Sequence, residues 1–201
     1  MNLLAGSNGR ELGSGLAWMN EPAQWSIAPE GRLSVFAPPL ADFFQDPAGE
    51  HVRASAPFLY RRITGNFVLT AQVGVEMVGG YDSGCLMIMA DGLNWAKVCY
   101  EYVDEVPSIV SVVTKTTSDD CESAAIGPAK PYLRAARYGN VFAFHYSLDG
   151  EKWSLVRYFG LDCGEVMVGA VAQSPLGQGC SVTFESLRLT DNTNPMLRKV
   201  L

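Results

Sequence analysis

The stretch NWAKVCYEYVDEVPSIVSVVTK, residues 94–115, decides the fold. In its first half Ala96, Val98, Tyr100 and Tyr102 share one side of an extended chain, and Trp95, Lys97, Cys99 and Glu101 share the other, because successive side chains of a strand leave opposite faces. Its second half, SIVSVVTK (108–115), repeats the extended pattern, and DEVP (104–107) between them carries turn residues. Two strands joined by a short turn make an antiparallel hairpin with an apolar face that must be covered. The face bearing Lys97 and Glu101 points away from that cover.

Outward from this hairpin the same period of two recurs in FVLTAQVGVEMV (67–78), GCLMIMA (84–90), YLRAARYG (132–139), VFAFHYSL (141–148), WSLVRYF (153–159), VMVGAVAQS (166–174) and SVTFESLRLT (181–190). Breakers such as GGYDSG (79–84), LDG (148–150) and SPLGQG (174–179) separate the runs. No long helical period competes. So many half-buried strands cover their apolar faces only against one another, which predicts an all-β sandwich of two antiparallel sheets, a jelly roll. The chain, 1–201, reads as a single domain, with residues 1–60 wrapping the sandwich edges and DNTNPMLRKVL (191–201) as a C-terminal extension or short helix.

Composition narrows the function. The net charge of −6 and the pI near 4.9 argue against a nucleic-acid partner, since phosphate-backbone binding needs a cationic surface. No apolar run approaches the roughly 18 residues of a membrane span, and MNLLAGSNGR lacks a signal-peptide core, so neither a membrane nor export is expected and the protein is read as cytoplasmic. Five cysteines, an odd number without a CxxC pair, read as reduced thiols. Two distant histidines, His51 and His145, offer little for a metal, and no cofactor is called for.

The site expectation follows from strand parity. Lys97 and Glu101, with Trp95 on the same face and Arg134 or Arg137 and His145 from neighbouring outward faces, form a polar cleft for a carbohydrate or other small polar ligand; aromatic rings stack on sugars and charged groups bond hydroxyls. In WMNEPAQW (18–25) Trp18 and Trp25 read first as an edge plug, with Asn20 and Glu21 as an alternative rim over the cleft. Tyr81-Asp82-Ser83-Gly84 reads first as a turn in which Gly84 supplies permissive dihedrals, with ligand contact by Tyr81 or Asp82 as the alternative. Ser147–Trp153 is a hairpin around Asp149-Gly150.

Several islands, among them ADFF (41–44), YDSGCLMI (81–88), NWAKVCYEY (94–102), SVVTKTTSDD (111–120) and VGAVAQSP (168–175), resemble in order and spacing the regulation-of-enolase family of the concanavalin A-like lectin/glucanase superfamily, over about residues 16–190. The resemblance implies a jelly roll with one concave sheet on which relatives bind sugars, and a regulatory scaffold for a metabolic enzyme such as enolase as an alternative role. It also raises a glycoside hydrolase, whose acids stand on alternate residues as E-x-D-x-E. Here Glu101 and Glu105 keep the outer spacing, but Val103 occupies the middle and Asp104 falls on the opposite face. Four residues of strand span roughly 13 Å, against the about 5–5.5 Å of a retaining pair.

Overall fold

The computed structural model describes residues 1–200, whose regular structure consists of strands numbered here in chain order, with no helix among the described residues. One sheet has seven strands in the order β1 (Leu16–Met19), β6 (Phe58–Ile63), β15 (Val166–Gln173), β8 (Ser83–Asp91), β9 (Asn94–Val103), β10 (Val106–Lys115), β11 (Thr117–Ala125). The other runs β14 (Ser154–Gly160), β13 (Val141–Ser147), β12 (Tyr132–Tyr138), β7 (Phe67–Val75), β16 (Cys180–Phe184), β3 (Leu33–Ala37), β2 (Trp25–Ile27), with β17 (Arg188–Asp191) also on β7. A separate ribbon pairs β4 (Phe43–Gln45) with β5 (Val52–Ala54).

The two large sheets face each other across one core. Ala96, Val98 and Tyr100 of β9 meet Leu69, Ala71 and Val73 of β7, Leu133 and Ala135 of β12, and Phe142 and Phe144 of β13 there, so the parity read from residues 94–103 is the parity of the fold. The β9–β10 hairpin turns on Asp104 and Glu105 alone, both with left-handed φ (46° and 63°), and Val103 faces Val106. A two-residue turn with both φ positive follows the right-handed twist of the strands, a geometry that Asn-Gly adopts with less strain. Asp104 and Glu105 are thus turn residues, and the alternating acid pattern is not completed.

Two sequence readings change, and one strand lies outside the runs read from the sequence. SVTFESLRLT is not one strand but two, β16 and β17, which pair with different parts of β7. Thr117–Ala125 pairs along the whole of β10 although its polar composition gives no apolar alternation; it is the edge strand of its sheet, where polar residues discourage further pairing. Gly84 is not a turn glycine. It lies within β8, where a Cβ would stand 2.5 Å from Val73 Cγ1 and 2.7 Å from Val182 Cγ1, so its role is close approach of the sheets.

Neither sheet leaves its outward face wholly wet. Residues 41–56, including the β4–β5 ribbon, lie over the seven-stranded sheet and bury Phe43, Phe58, Met87, Trp95, Cys99 and Val112 in a second apolar cluster. Residues 192–200 form no helix: Asn192 Oδ1 accepts from Asn194 N and Asn194 Oδ1 from Met196 N, local side-chain turns that compete with helical bonding. This tail lays Leu197 on Ala136 and Ala143, outside the eight-stranded sheet.

Candidate functional site

The cover over the seven-stranded sheet is incomplete and leaves a cleft of about 300 Å³. Its floor comes from β9 (Lys97, Glu101), β10 (Val112) and β11 (Asp120). Asp42, Phe44 and His51 enter from the cover, Tyr81 from the loop before β8, and Gln173, Pro175 and Leu176 from the end of β15 and the loop beyond it. Strand register arranges the floor in two transverse rows: Gln173, Ser83 and Glu101 lie opposite one another across β15, β8 and β9, and Lys97, Val112 and Asp120 across β9, β10 and β11. All leave the same face, because each row joins directly opposed residues.

Lys97 is 2% exposed and ties the cover to the sheet. Its Nζ donates to Phe43 O (2.8 Å) and Gln173 Oε1 (3.0 Å) and faces Asp42 Oδ1 at 3.5 Å. Gln173 Nε2 donates to the same Asp42 oxygen (3.0 Å), and Asp42 Oδ2 meets His51 Nε2 at 3.1 Å. Burial alone would lower the Lys97 pKa, but Asp42 and, with smaller effects, Cys99, Cys85 and Glu101 outweigh it and hold it above the ordinary lysine value. Lys97 is therefore a fixed ammonium with its donors engaged.

Glu101 differs. It is 7% exposed yet has no ion-pair partner among the described residues. Burial, opposed by Lys97 and reinforced by Asp120 and Asp42, pushes its pKa up to about 7, with the Ser83 hydroxyl favouring the charged form. Asp120, at the rim, is also raised, first by burial and against the pull of Lys97. Two carboxylates thus share the cleft with one ammonium that is already committed to Asp42. Tyr81, half exposed, holds φ 65°, an uncommon conformation for a bulky residue. Its N–H donates to Tyr102 O (2.8 Å), and the Asp82 carboxylate beside it accepts from Val78 N, Gly79 N and Ser174 Oγ. Asp82 is fully buried and joins the Tyr81 loop to the Leu176 loop.

Of the residues expected in the cleft, the structure brings Lys97, Glu101 and Tyr81 to its wall. Trp95 shares their face but is 1% exposed, packed edge-on against Phe43 (centroids 6.1 Å), with Lys97 Nζ 5.9 Å from its ring; it is a foundation, not a stacking platform. Arg134 and His145 pair at 3.1 Å on the other sheet, since β12 and β13 belong to it. Burial and Arg134 depress His145 to about 4, a backbone group of Leu197 opposing them. Arg137 lies on the opposite side of β12 from Arg134 and donates to the carbonyls of Gly139, Gly164 and Cys163. Glu21 accepts from Trp25 Nε1 (2.9 Å) and Arg10 (3.1 Å), so it serves the Trp18–Trp25 plug. Asp82 braces the wall without lining it.

Sequence reasoning missed Asp42, His51, Asp120 and Gln173. Gln173 carried a signal, since it ends an otherwise apolar strand, VMVGAVAQ; Asp42 and His51 lie in a segment whose seat no periodicity reveals.

Among curated proteins none matches the chain. A functionally unknown protein from Saccharomyces cerevisiae superposes with a TM-score of 0.84 at 26% identity, covering 90% of this chain and 98% of that one. The GH43 BlXynB protein from Bacillus licheniformis superposes at 0.71 with 16% identity, over 90% of this chain but 37% of its own. The carbohydrate binding module CBM66 from Bacillus subtilis superposes at 0.58 with 12% identity, over 92% and 96%. At such identities the last two likenesses are of fold, the two-sheet β-sandwich, and fold alone carries no activity. A family model described as "Protein of unknown function (DUF1349)" matches residues 18–192, nearly the whole sandwich and every residue of the cleft, and the chain belongs to that family.

Proposed function

We propose that this protein is a binding domain whose cleft takes a carbohydrate. The observation that carries the reading is the cleft itself: a preformed cavity with buried acceptor groups at Glu101 and Gln173 on its floor and the ring edges and apolar side chains of Phe44, Tyr81 and Leu176 around it. Its volume, about 300 Å³, lies at the small end of ligand pockets. Hydroxyls bond to carboxylate and amide oxygens, while the C–H faces of a sugar pack on rings, so the lining suits a small polyhydroxylated molecule. The fold shared with a carbohydrate binding module supports the same reading.

Binding rather than hydrolysis is proposed because Glu101 stands without a second acid at the alternate position of its strand, Asp104 and Glu105 being the turn. A glycan array followed by calorimetry tests the reading. Wild type should bind a defined set of sugars, and Tyr81→Ala should weaken them at least about tenfold, roughly 1.4 kcal/mol, at an almost unchanged melting temperature. Absence of any sugar binding would refute it. Release of reducing ends from a bound glycan, lost in Glu101→Gln, would replace it by a glycoside hydrolase.

A further inference from the structure

The carbohydrate reading leaves the ligand's charge open, and the cleft is not neutral. Asp42, Glu101 and Asp120 line it against one ammonium, Lys97. Lys97 faces Asp42 at 3.5 Å and gives its hydrogen bonds to Phe43 O and Gln173, so it cancels Asp42 and has little left to offer a ligand. Arg157, whose charge reaches Asp120, is bound to Asp119, one residue before it. Glu101 is more than nine-tenths buried, lines the cavity and has no cation beside it among the described residues. A buried carboxylate without a cationic partner carries a desolvation cost that a matching cation would relieve.

We propose that the cleft selects a sugar bearing a free amine, whose ammonium group pairs with Glu101 while its hydroxyls meet Gln173 and the rim. The inference rests on the carbohydrate reading and adds its charge. A metal ion fits less well, because among the described residues no three His, Cys, Asp or Glu side chains converge as ligands. A primary ammonium needs only one carboxylate and a few acceptors. Anionic sugars are excluded by the same field: a sugar carboxylate would face Glu101 and Asp120 with Lys97 already engaged. The groups acting on Glu101 are Lys97 and Cys99 from its own strand, Ser83 from β8, Asp42 from the cover and Asp120 from β11, with Tyr81 and His51 at the mouth. Only Lys97 among them is a permanent cation.

Calorimetry on the full chain at pH 6.5 tests this with glucosamine and galactosamine against their N-acetyl derivatives, the parent hexoses and the corresponding uronic acids. The amines should bind at least about tenfold more tightly than the N-acetyl and parent sugars, and the uronic acids most weakly. Repetition in buffers of different ionisation enthalpy should show proton release on amine binding, because the ammonium drives Glu101 to its charged form. Glu101→Gln should abolish both the amine preference and the proton release, and persistence of either would overturn the proposal. Equal affinity for amine and N-acetyl sugars would overturn the proposal and leave the carbohydrate reading standing. Failure of every sugar to bind would overturn both.

Discussion

On the outward face of the seven-stranded sheet Lys97 lies under residues 41–56 with two carbonyl acceptors and a carboxylate around it. On the outward face of the eight-stranded sheet Arg134 is also buried, on the side covered by the C-terminal tail, but its side chain meets only His145 Nδ1. Both begin as a charged residue on the non-core side of a strand. The first became one wall of a cavity, because its cover packs through the second apolar cluster yet stops short of Glu101; the second was sealed, because Leu197 fits onto the small Ala136 and Ala143. A charge on an outward face thus does not identify a site: the completeness of its cover does.

Removing each cation gives the largest contrast. Lys97→Ala would leave Gln173 Oε1 and Phe43 O without their lysine donor and Asp42 without its cation, and loss of one partner of a buried ion pair costs about 3–5 kcal/mol. Arg134→Met removes a buried guanidinium with a single partner and keeps its volume, so the loss should be about 1 kcal/mol, the low end of the cost of one unpaired buried nitrogen. Urea denaturation of the two variants decides; equal losses would mean that both faces are held alike.

The pH dependence of stability separates the faces by sign. Glu101 is raised from 4.5 to about 7, so its contribution is fully present below pH 4.5 and is lost as pH rises through 7. His145 is depressed from 6.5 to about 4, so its contribution is present above pH 6.5 and is lost as pH falls through 4. Each shift corresponds to a change on the order of 3 kcal/mol, and the two run oppositely over the same window. Relative to wild type, Glu101→Gln should become steadily more stable as pH rises from 4.5 to 7, and His145→Gln steadily more stable as pH falls from 6.5 to 4. Chemical denaturation across that range checks both slopes, and a flat difference for either variant would remove that group from the comparison.

The smallest contrast lies in the covers. Leu197 is 1% exposed and Leu176, at the cleft, is 62% exposed. Leu197→Ala should cost about 2 kcal/mol through the cavity it leaves, and Leu176→Ala less than about 0.5 kcal/mol. Melting curves of the two variants measure it, and a large loss in the second would show that the rim of the cleft is part of the core.

What could be read in the chain follows from periodicity. Alternation in 94–103 placed Ala96, Val98 and Tyr100 inside and Lys97 and Glu101 outside without reference to any other residue, because strand parity is local. The same local rule failed for Thr117–Ala125, where an edge strand needs no apolar side, and for Gly84, whose closeness to Val73 and Val182 depends on the facing sheet. Asp42 and His51 were illegible because a segment lying across a sheet has no repeat that marks its seat.

The sequence by itself determined the two-sheet class, the strand faces, the hairpin at Asp104-Glu105 and the presence of Lys97 and Glu101 on a non-core face, since each follows from chain geometry over a few residues. Only the tertiary structure decided that Trp95 is buried under Phe43, that Arg134 and His145 belong to the opposite sheet, and that Asp42, Asp120 and Gln173 converge on Lys97 and Glu101. The reason is physical: which strands become neighbours, and which segment covers them, depends on burying apolar surface contributed by residues far apart in the chain, and no local pattern encodes that choice.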